Sequence, residues 1–365
     1  MRSLAEIRHD QHRSRTGAGA AISVMVVDDS LTARTAIVRM IDSADDITVT
    51  ATAASAETAI RQLGETPVDV ILLDLEMPGM GGLEALPKLI ETASQAQILV
   101  VSALTQQGAE HTLAALSMGA ADTMLKPRSG GFTPAYRDDL VDRIRALGRR
   151  SYPAQRISAA CHTGIAKRFG KQPRMIAVGA STGGIHALSQ LLKNLPAGLS
   201  LPIVITQHLP ESFVPVLARQ IEMFAIRQTH VAKNGMPVTP GCIFLAPGNA
   251  HINIRSRRGQ LEIKLSHERV ESGCIPSVDP MLASIADACS GEALGIVLSG
   301  MGRDGVIGAG QLVDAGGTIF AQDEASSAVW GMPRAVCEQD LAAEIASPQE
   351  LAGKILQLAG VASWT

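Results

Sequence analysis

The chain has 365 residues, enough for two ordinary domains. Hydrophobic residues make up 46% and the formal net charge is -3, the balance of a soluble globular protein with no call for a nucleic-acid or membrane-surface partner. No apolar run approaches the ~20 residues of a transmembrane helix, and the five cysteines are scattered without a CxxC pair. That indicates neither a disulfide framework nor a zinc site and points to a reducing compartment, the cytoplasm.

Residues 1–21 are polar and bear Arg and His, and read as a loose leader without the apolar stretch of a signal peptide. From residue 22 to 147, strand-like and helix-like patterns alternate. Ser23–Val27 is a first strand ending in Asp28-Asp29, and Thr32–Ile41 a first helix. Ile47–Ala53 and Ser55–Leu63 form the second pair. Val68–Leu73 ends in Asp74 and is followed by a helix over Leu83–Glu91. Ile98–Val101 ends in Ser102 and leads to Glu110–Met118. Asp122–Leu125 ends in Lys126-Pro127, and Asp138–Leu147 closes the unit. Five such βα units predict a doubly wound, five-stranded parallel sheet of the flavodoxin-like α/β kind. Residues 148–173 break the pattern with Pro, Gly and basic residues, as an interdomain linker does. Residues 174–365 alternate again. The expected strands are Met175–Val178, Ile203–Thr206, Cys242–Ala246, Ile252–Arg255, Leu261–Leu265, Ala293–Leu298 and Thr318–Ala321. This predicts a second, mainly parallel α/β domain with a β-hairpin inserted near Gly259.

Ligands of open α/β sheets collect outside the carboxyl ends of the strands. In the first domain those ends carry Asp28, Asp29, Asp74, Ser102 and Lys126. Clustered carboxylates need a cation, and magnesium suits one or two of them with water and phosphate oxygens. Lys126 balances a phosphoryl charge, and Asp74 can accept a phosphoryl group as an acyl phosphate. Any single Asp here is equally explained as a turn former; the full set in this order is not. With Leu72-Leu73-Asp74-Leu75-Glu76-Met77-Pro78-Gly79-Met80 and Lys126-Pro127, the pattern resembles a response-regulator receiver domain. The resemblance implies Asp74 as phosphoacceptor, Asp28, Asp29 and Asp74 around Mg2+, and Ser102 and Lys126 as the switch pair. Gly81 stands where such domains often carry Asp. Thr123 stands where many carry a Phe or Tyr that swings inward on activation, so that aromatic switch is absent.

In the second domain Gly179-Ala180-Ser181-Thr182-Gly183-Gly184 joins an apolar strand to an amphipathic helix. A serine flanked by glycines at such a turn suits an exposed nucleophile beside a helix N-terminus. A phosphate-binding loop and a plain structural turn are the competing readings. The spacing departs from G-x-G-x-x-G, and no Gly-Lys-Ser/Thr follows to make a P-loop. Of the histidines, His208 is the best base, just beyond the strand Ile203–Thr206. His186 lies within a helix, His251 could line a pocket, and His230 and His267 have no special context. The acid with the clearest setting is Asp304, in the glycine-rich loop Gly300-Met301-Gly302-Arg303-Asp304-Gly305. The order Ser, His, Asp differs from that of α/β-hydrolases, but geometry rather than order defines a triad.

These segments, with Thr206-Gln207-His208-Leu209-Pro210, Pro276-Ser277-Val278-Asp279 and Ala321-Gln322-Asp323-Glu324-Ala325-Ser326-Ser327, resemble the CheB chemotaxis methylesterase family, in which a receiver also lies N-terminal. The resemblance implies a phosphorylation-activated protein-glutamate methylesterase, with possible deamidation of receptor glutamines. It implies Ser181 as nucleophile, His208 as base, Asp304 as its orienting acid and the Met301 N–H as oxyanion donor. Asp279, Asp323 and Glu324 read as structural or substrate-lining. Chemoreceptors would be the substrate and a CheA-type histidine kinase the phosphodonor, with no cofactor in the esterase domain. Phosphorylation of Asp74 is expected to relieve occlusion of the Ser181 cleft. A phosphorylation-switched binding module with little catalysis is the alternative, and a nucleotide-binding oxidoreductase a more distant one.

Overall fold

The computed structural model describes residues 21–102, 106–127, 133–148 and 172–360. The expected leader, most of the expected linker and Cys161 lie outside them. The chain divides into two compact units, Met1–Arg156 and Ile157–Thr365.

In the first unit the strands are β1 (Ile22–Val27), β2 (Ile47–Ala53), β3 (Val70–Asp74), β4 (Gln97–Ser102) and β5 (Asp122–Leu125). They pair in the order β2-β1-β3-β4-β5, every neighbour parallel. The helices are α1 (Leu31–Ile41), α2 (Ala56–Leu63), α3 (Gly82–Thr92), α4 (Gln106–Met118) and α5 (Pro134–Gly148). All of β1 and β3 is buried, as sheets covered on both faces require. Ser30 and Ser55 start α1 and α2 by accepting the amides of Ala33 and Thr58. Helix α5 begins at Pro134, a turn before the expected Asp138. A proline in the first turn loses no helical hydrogen bond, so the polar stretch before Asp138 continues the helix.

The second unit is built on a seven-stranded sheet in the order β14-β13-β12-β6-β7-β9-β8, again parallel throughout. Its strands are β6 (Ile176–Ala180), β7 (Ile203–Gln207), β8 (Thr229–Val231), β9 (Ile243–Leu245), β12 (Leu294–Val297), β13 (Thr318–Gln322) and β14 (Glu344–Ala346). Both edge strands, β8 and β14, escape a reading of the sequence. They are three residues long and half-buried, so they lack the apolar run that marks the central strands. The helices are α6 (Gly184–Lys193), α7 (Val214–Ala225), α8 (Val278–Ala288), α9 (Val306–Asp314), α10 (Met332–Cys337) and α11 (Pro348–Leu358).

The expected hairpin is present as β10 (His251–Arg257) and β11 (Gln260–Ser266), antiparallel with Arg257 opposite Gln260. Its two turn residues, Arg258 and Gly259, have φ of 52° and 79°, the positive pair of a type I′ turn. The hairpin turns Ile252, Ile254 and Ile263 onto Val278, Met281, Leu282 and Ile285 of α8, so its inner face completes the core around that helix.

Candidate active site

Strands β12, β6 and β7 are neighbours, with the first strand of the unit, β6, between two later ones. The chain runs from β6 to β7 on one side and returns later to β12 on the other, the kind of switch point at which such sheets bind ligands outside the strands' carboxyl ends. Ser181 follows β6, His208 follows β7, and Asp304 lies in the loop after β12. The three residues named from the sequence therefore meet at one point.

His208 Nδ1 is 3.1 Å from Ser181 Oγ, and His208 Nε2 is 2.8 Å from Asp304 Oδ2. The ring presents Nδ1 to the serine and Nε2 to the acid, the reverse of the chymotrypsin arrangement. The relay works equally in that sense: Nε2–H donates to the carboxylate and the Nδ1 lone pair faces the hydroxyl. The His208 side chain is 17% exposed and that of Asp304 only 2%. Burial alone would lower the imidazole pKa; the bond to Asp304 and the nearby Cys274 thiol outweigh it and raise it to about 9. Asp304 is held well below the usual carboxylate range: burial opposes ionisation, but bonds from His208, Ser277 and the Val278 amide overcome it.

Asp304 owes this environment to α8. Its Oδ1 accepts from Ser277 Oγ at 2.6 Å and its Oδ2 from the Val278 N–H at 2.7 Å. The carboxylate thus sits on the amino end of a helix, where orphan amides and the dipole favour an anion. His251 stands one step further back. Its Nδ1 accepts the Ser277 N–H at 2.9 Å and its Nε2 donates to the Glu268 carbonyl at 2.9 Å. It is buried behind the site, fixing Ser277, and not a pocket wall. Asp279 is structural: Oδ1 accepts the Gly308 N–H of α9 at 2.8 Å. Asp323 is likewise spent on a turn, accepting from Ser326. His186 bonds Gln190 on its own helix, and His230 lies against Phe244.

The serine turn is held from below. The Ser181 N–H donates to the Ser299 carbonyl at 3.0 Å, and Ser299 Oγ donates to the Thr182 carbonyl at 2.7 Å. Gln207 Nε2 donates to the Ser181 carbonyl at 2.9 Å. Gly183 has φ of 78°, the left-handed region that suits glycine at the start of α6. Gly300 admits no side chain, because a Cβ would lie 2.9 Å from Ser181 Cβ. The loop carrying the Met301 amide therefore runs directly against the serine. Sequence reading missed Gln207, Ser277 and Ser299 as supports. Ser277 alone carries a local signal, the N-cap serine before an apolar helix.

The first unit gathers its expected residues separately. Lys126 Nζ bridges Asp28 Oδ2 and Asp74 Oδ2, each at 2.7 Å. The Asp74 pKa is raised because burial exceeds the opposing pull of Lys126. Asp28, Asp29 and Asp74 offer oxygens within 4.8 Å of one another, a hard donor set that fits magnesium. Ser102 instead turns toward α4: its Oγ is 2.6 Å from Thr112 Oγ1, both fully buried.

A receiver-type sheet followed by an α/β unit with a serine, histidine and aspartate at its switch point defines a receiver-linked hydrolase. Family models agree: a response regulator receiver domain matches residues 24–131 and CheB methylesterase matches residues 176–355. The protein-glutamate methylesterase/protein-glutamine glutaminase of Azospirillum brasilense is 37% identical, covering 96% of each chain. The protein-glutamate methylesterase/protein-glutamine glutaminase 2 of Caulobacter vibrioides is 42% identical over 87% of this chain and 93% of its own. The crystal structure of the Thermotoga maritima CheB methylesterase catalytic domain superposes with a TM-score of 0.50 at 30% identity, covering 51% of this chain and 98% of that one. The chain belongs to the CheB methylesterase family and is a carboxylic ester hydrolase joined to a receiver domain. No helix among the described residues is long and apolar enough to cross a membrane.

Proposed function

We propose that this chain is a cytoplasmic, phosphorylation-stimulated protein-glutamate methylesterase acting on chemoreceptors. The observation that carries the reading is the relay of 3.1 Å from Ser181 Oγ to His208 Nδ1 and 2.8 Å from His208 Nε2 to Asp304 Oδ2. His208 Nδ1 takes the serine proton as Ser181 Oγ attacks the carbonyl carbon of a glutamate γ-methyl ester. Asp304 holds the Nε2–H and steadies the imidazolium. The Met301 N–H, on the loop packed against Ser181, binds the oxyanion. The C–OCH3 bond breaks, and His208 returns its proton to the departing methoxide as methanol. Water, deprotonated by His208, then opens the acyl-serine to leave glutamate and free Ser181. The same steps on a glutamine side chain release ammonia, more slowly, since an amine is the poorer leaving group.

Residues 22–147 serve as receiver and 174–365 as catalytic domain, joined by the linker 148–173 and preceded by the leader 1–21. Asp74 takes a phosphoryl group from a CheA-type kinase: the P–N bond of a phosphohistidine breaks and a P–O bond to Asp74 forms. Asp28, Asp29 and Asp74 would hold magnesium, which when bound offsets the charge of the phosphoryl oxygens. Lys126 and Ser102 engage the phosphoryl group afterwards.

The test is methanol release from methylated receptor membranes. Ser181→Ala should lower kcat by about 10⁶, and equal release by the variant would refute the nucleophile. Asp74→Ala should keep basal release and lose its stimulation by a phosphodonor; stimulation that persists would refute the phosphoacceptor.

A further inference from the structure

Cys274 lies between β11 and α8, half-buried, on the segment that leads into the Asp304-binding end of α8. A sulfur of Cys274, a ring nitrogen of His208 and a carboxylate oxygen of Asp304 all lie within 4.8 Å of one another. In the relay described above the thiol neither gives nor takes a proton.

We propose that Cys274, His208 and Asp304 form an inhibitory site for a zinc-class divalent cation. The donor chemistry selects the metal. Thiolate, imidazole and carboxylate together suit Zn2+, which takes such mixed sets tetrahedrally with water in the fourth position. Magnesium and calcium prefer oxygen alone. Among the described residues two ligand clusters are thus sorted by hardness: the all-oxygen Asp28, Asp29 and Asp74, and this sulfur–nitrogen–oxygen set.

Inhibition follows from the hydrogen bonds already made by His208. Both ring nitrogens are committed, Nδ1 to Ser181 and Nε2 to Asp304. A cation on Nδ1 takes the lone pair that accepts the serine proton. A cation on Nε2 forces the ring proton onto Nδ1, where it removes the same lone pair. Either way binding releases the Cys274 thiol proton to solvent, and below the raised His208 pKa the extra imidazolium proton as well, and the base is lost without any change in oxidation state. The inhibition rests on His208 being the base; the binding does not.

The experiment uses the full-length protein freed of metal by a chelator, titrated with cobalt chloride in the spectrophotometer and with zinc chloride in the methanol-release assay. Cobalt should give a near-ultraviolet thiolate charge-transfer band and the visible bands of a tetrahedral ion. Zinc should abolish methanol release, and added chelator should restore it. Cys274→Ala should still release methanol, with the midpoint of its pH–rate profile shifted down, lose the thiolate band and need at least about tenfold more zinc for half-inhibition, the scale on which site residues alter metal affinity. The other cysteines remain in that variant, so a thiolate band of undiminished strength in Cys274→Ala would overturn the site. Zinc inhibition equal in both proteins would overturn it as well. A cobalt band that depends on Cys274 with no effect of zinc on methanol release would refute the inhibition. A protein that binds cobalt through Cys274 but releases no methanol even without metal would instead count against the esterase reading and leave the site standing.

Discussion

His208 is the residue on which the proposed chemistry turns, and its surroundings fix a pH dependence. A general base works only in its neutral form. The ordinary histidine pKa is about 6.5, whereas here the Asp304 carboxylate and the Cys274 thiol, working against burial, lift it to about 9. The sign follows: at neutral pH the ring is largely protonated, so kcat/KM should rise with pH and level off near the raised value. Asp304→Asn removes the carboxylate whose hydrogen bond does most to raise the pKa, so the midpoint should move down toward the ordinary range. The same change should cut kcat by about 10⁴, because the amide cannot hold the Nε2–H tautomer. A pH–rate profile of both proteins on a methyl-ester substrate checks this. An unmoved midpoint in Asp304→Asn would show that Asp304 does not set the basicity of His208.

Helices α8 and α9 exchange carboxylates, and this exchange builds the acid end of the relay. Asp304, just before α9, accepts amides at the start of α8, and Asp279, in the first turn of α8, accepts the Gly308 amide of α9. Helix α9 has Gly305 at its N-cap and no side-chain cap of its own, so Asp279 supplies one from the neighbouring helix. The close approach needs Gly308, where a Cβ would fall 2.4 Å from the Asp279 carbonyl oxygen. Asp279→Ala should therefore destabilise the protein by about 1 kcal/mol, the usual worth of an N-cap. Asp279→Asn keeps an acceptor oxygen and should lie near the parent. Urea unfolding followed by tryptophan fluorescence separates the two, and equal midpoints for Ala and Asn would dismiss the capping role. The exchange also marks the limit of what the sequence shows. Ser181, His208 and Asp74 are legible because each ends an apolar strand, and strand ends are where such sheets bind. The central strands are legible for the same reason, as continuous runs of Val, Ile and Leu. Gln207 and His251 are not, because each acts on a residue 26 positions away with no local pattern that says so, and Ser277 is legible as an N-cap but not as the partner of Asp304, 27 positions on. Edge strands β8 and β14 are hidden because sparse burial leaves them no apolar signature.

At the scale of the whole molecule, the proposed regulation asks a phosphoryl group on Asp74 to change what happens at Ser181 without the aromatic switch that Thr123 replaces. The structure offers a different first step. Ser102 Oγ and Thr112 Oγ1 bond each other at 2.6 Å in a fully buried pair, tying the end of β4 to α4. For Ser102 to follow a phosphoryl oxygen it must give up Thr112. That exchange costs little if the new bond is to a charged acceptor, since such bonds are worth about 1.5–3 kcal/mol against about 1 kcal/mol for a neutral pair. Phosphorylation would then release α4 from β4, and α4 becomes the element that carries the signal. Thr112→Val keeps the shape of the side chain and removes the competing hydroxyl. Ser102 then has no neutral partner to leave, so the phosphorylated state gains by up to about 1 kcal/mol, roughly fivefold in the coupling between phosphorylation and activity. At limiting phosphodonor the variant should show a greater stimulation of methanol release than the parent, with unstimulated release unchanged. Ser102→Ala should do the opposite, accepting phosphate on Asp74 while responding weakly. Stimulation that is the same in Thr112→Val and the parent would show that the Ser102–Thr112 bond is packing alone and that the signal leaves Asp74 by another route.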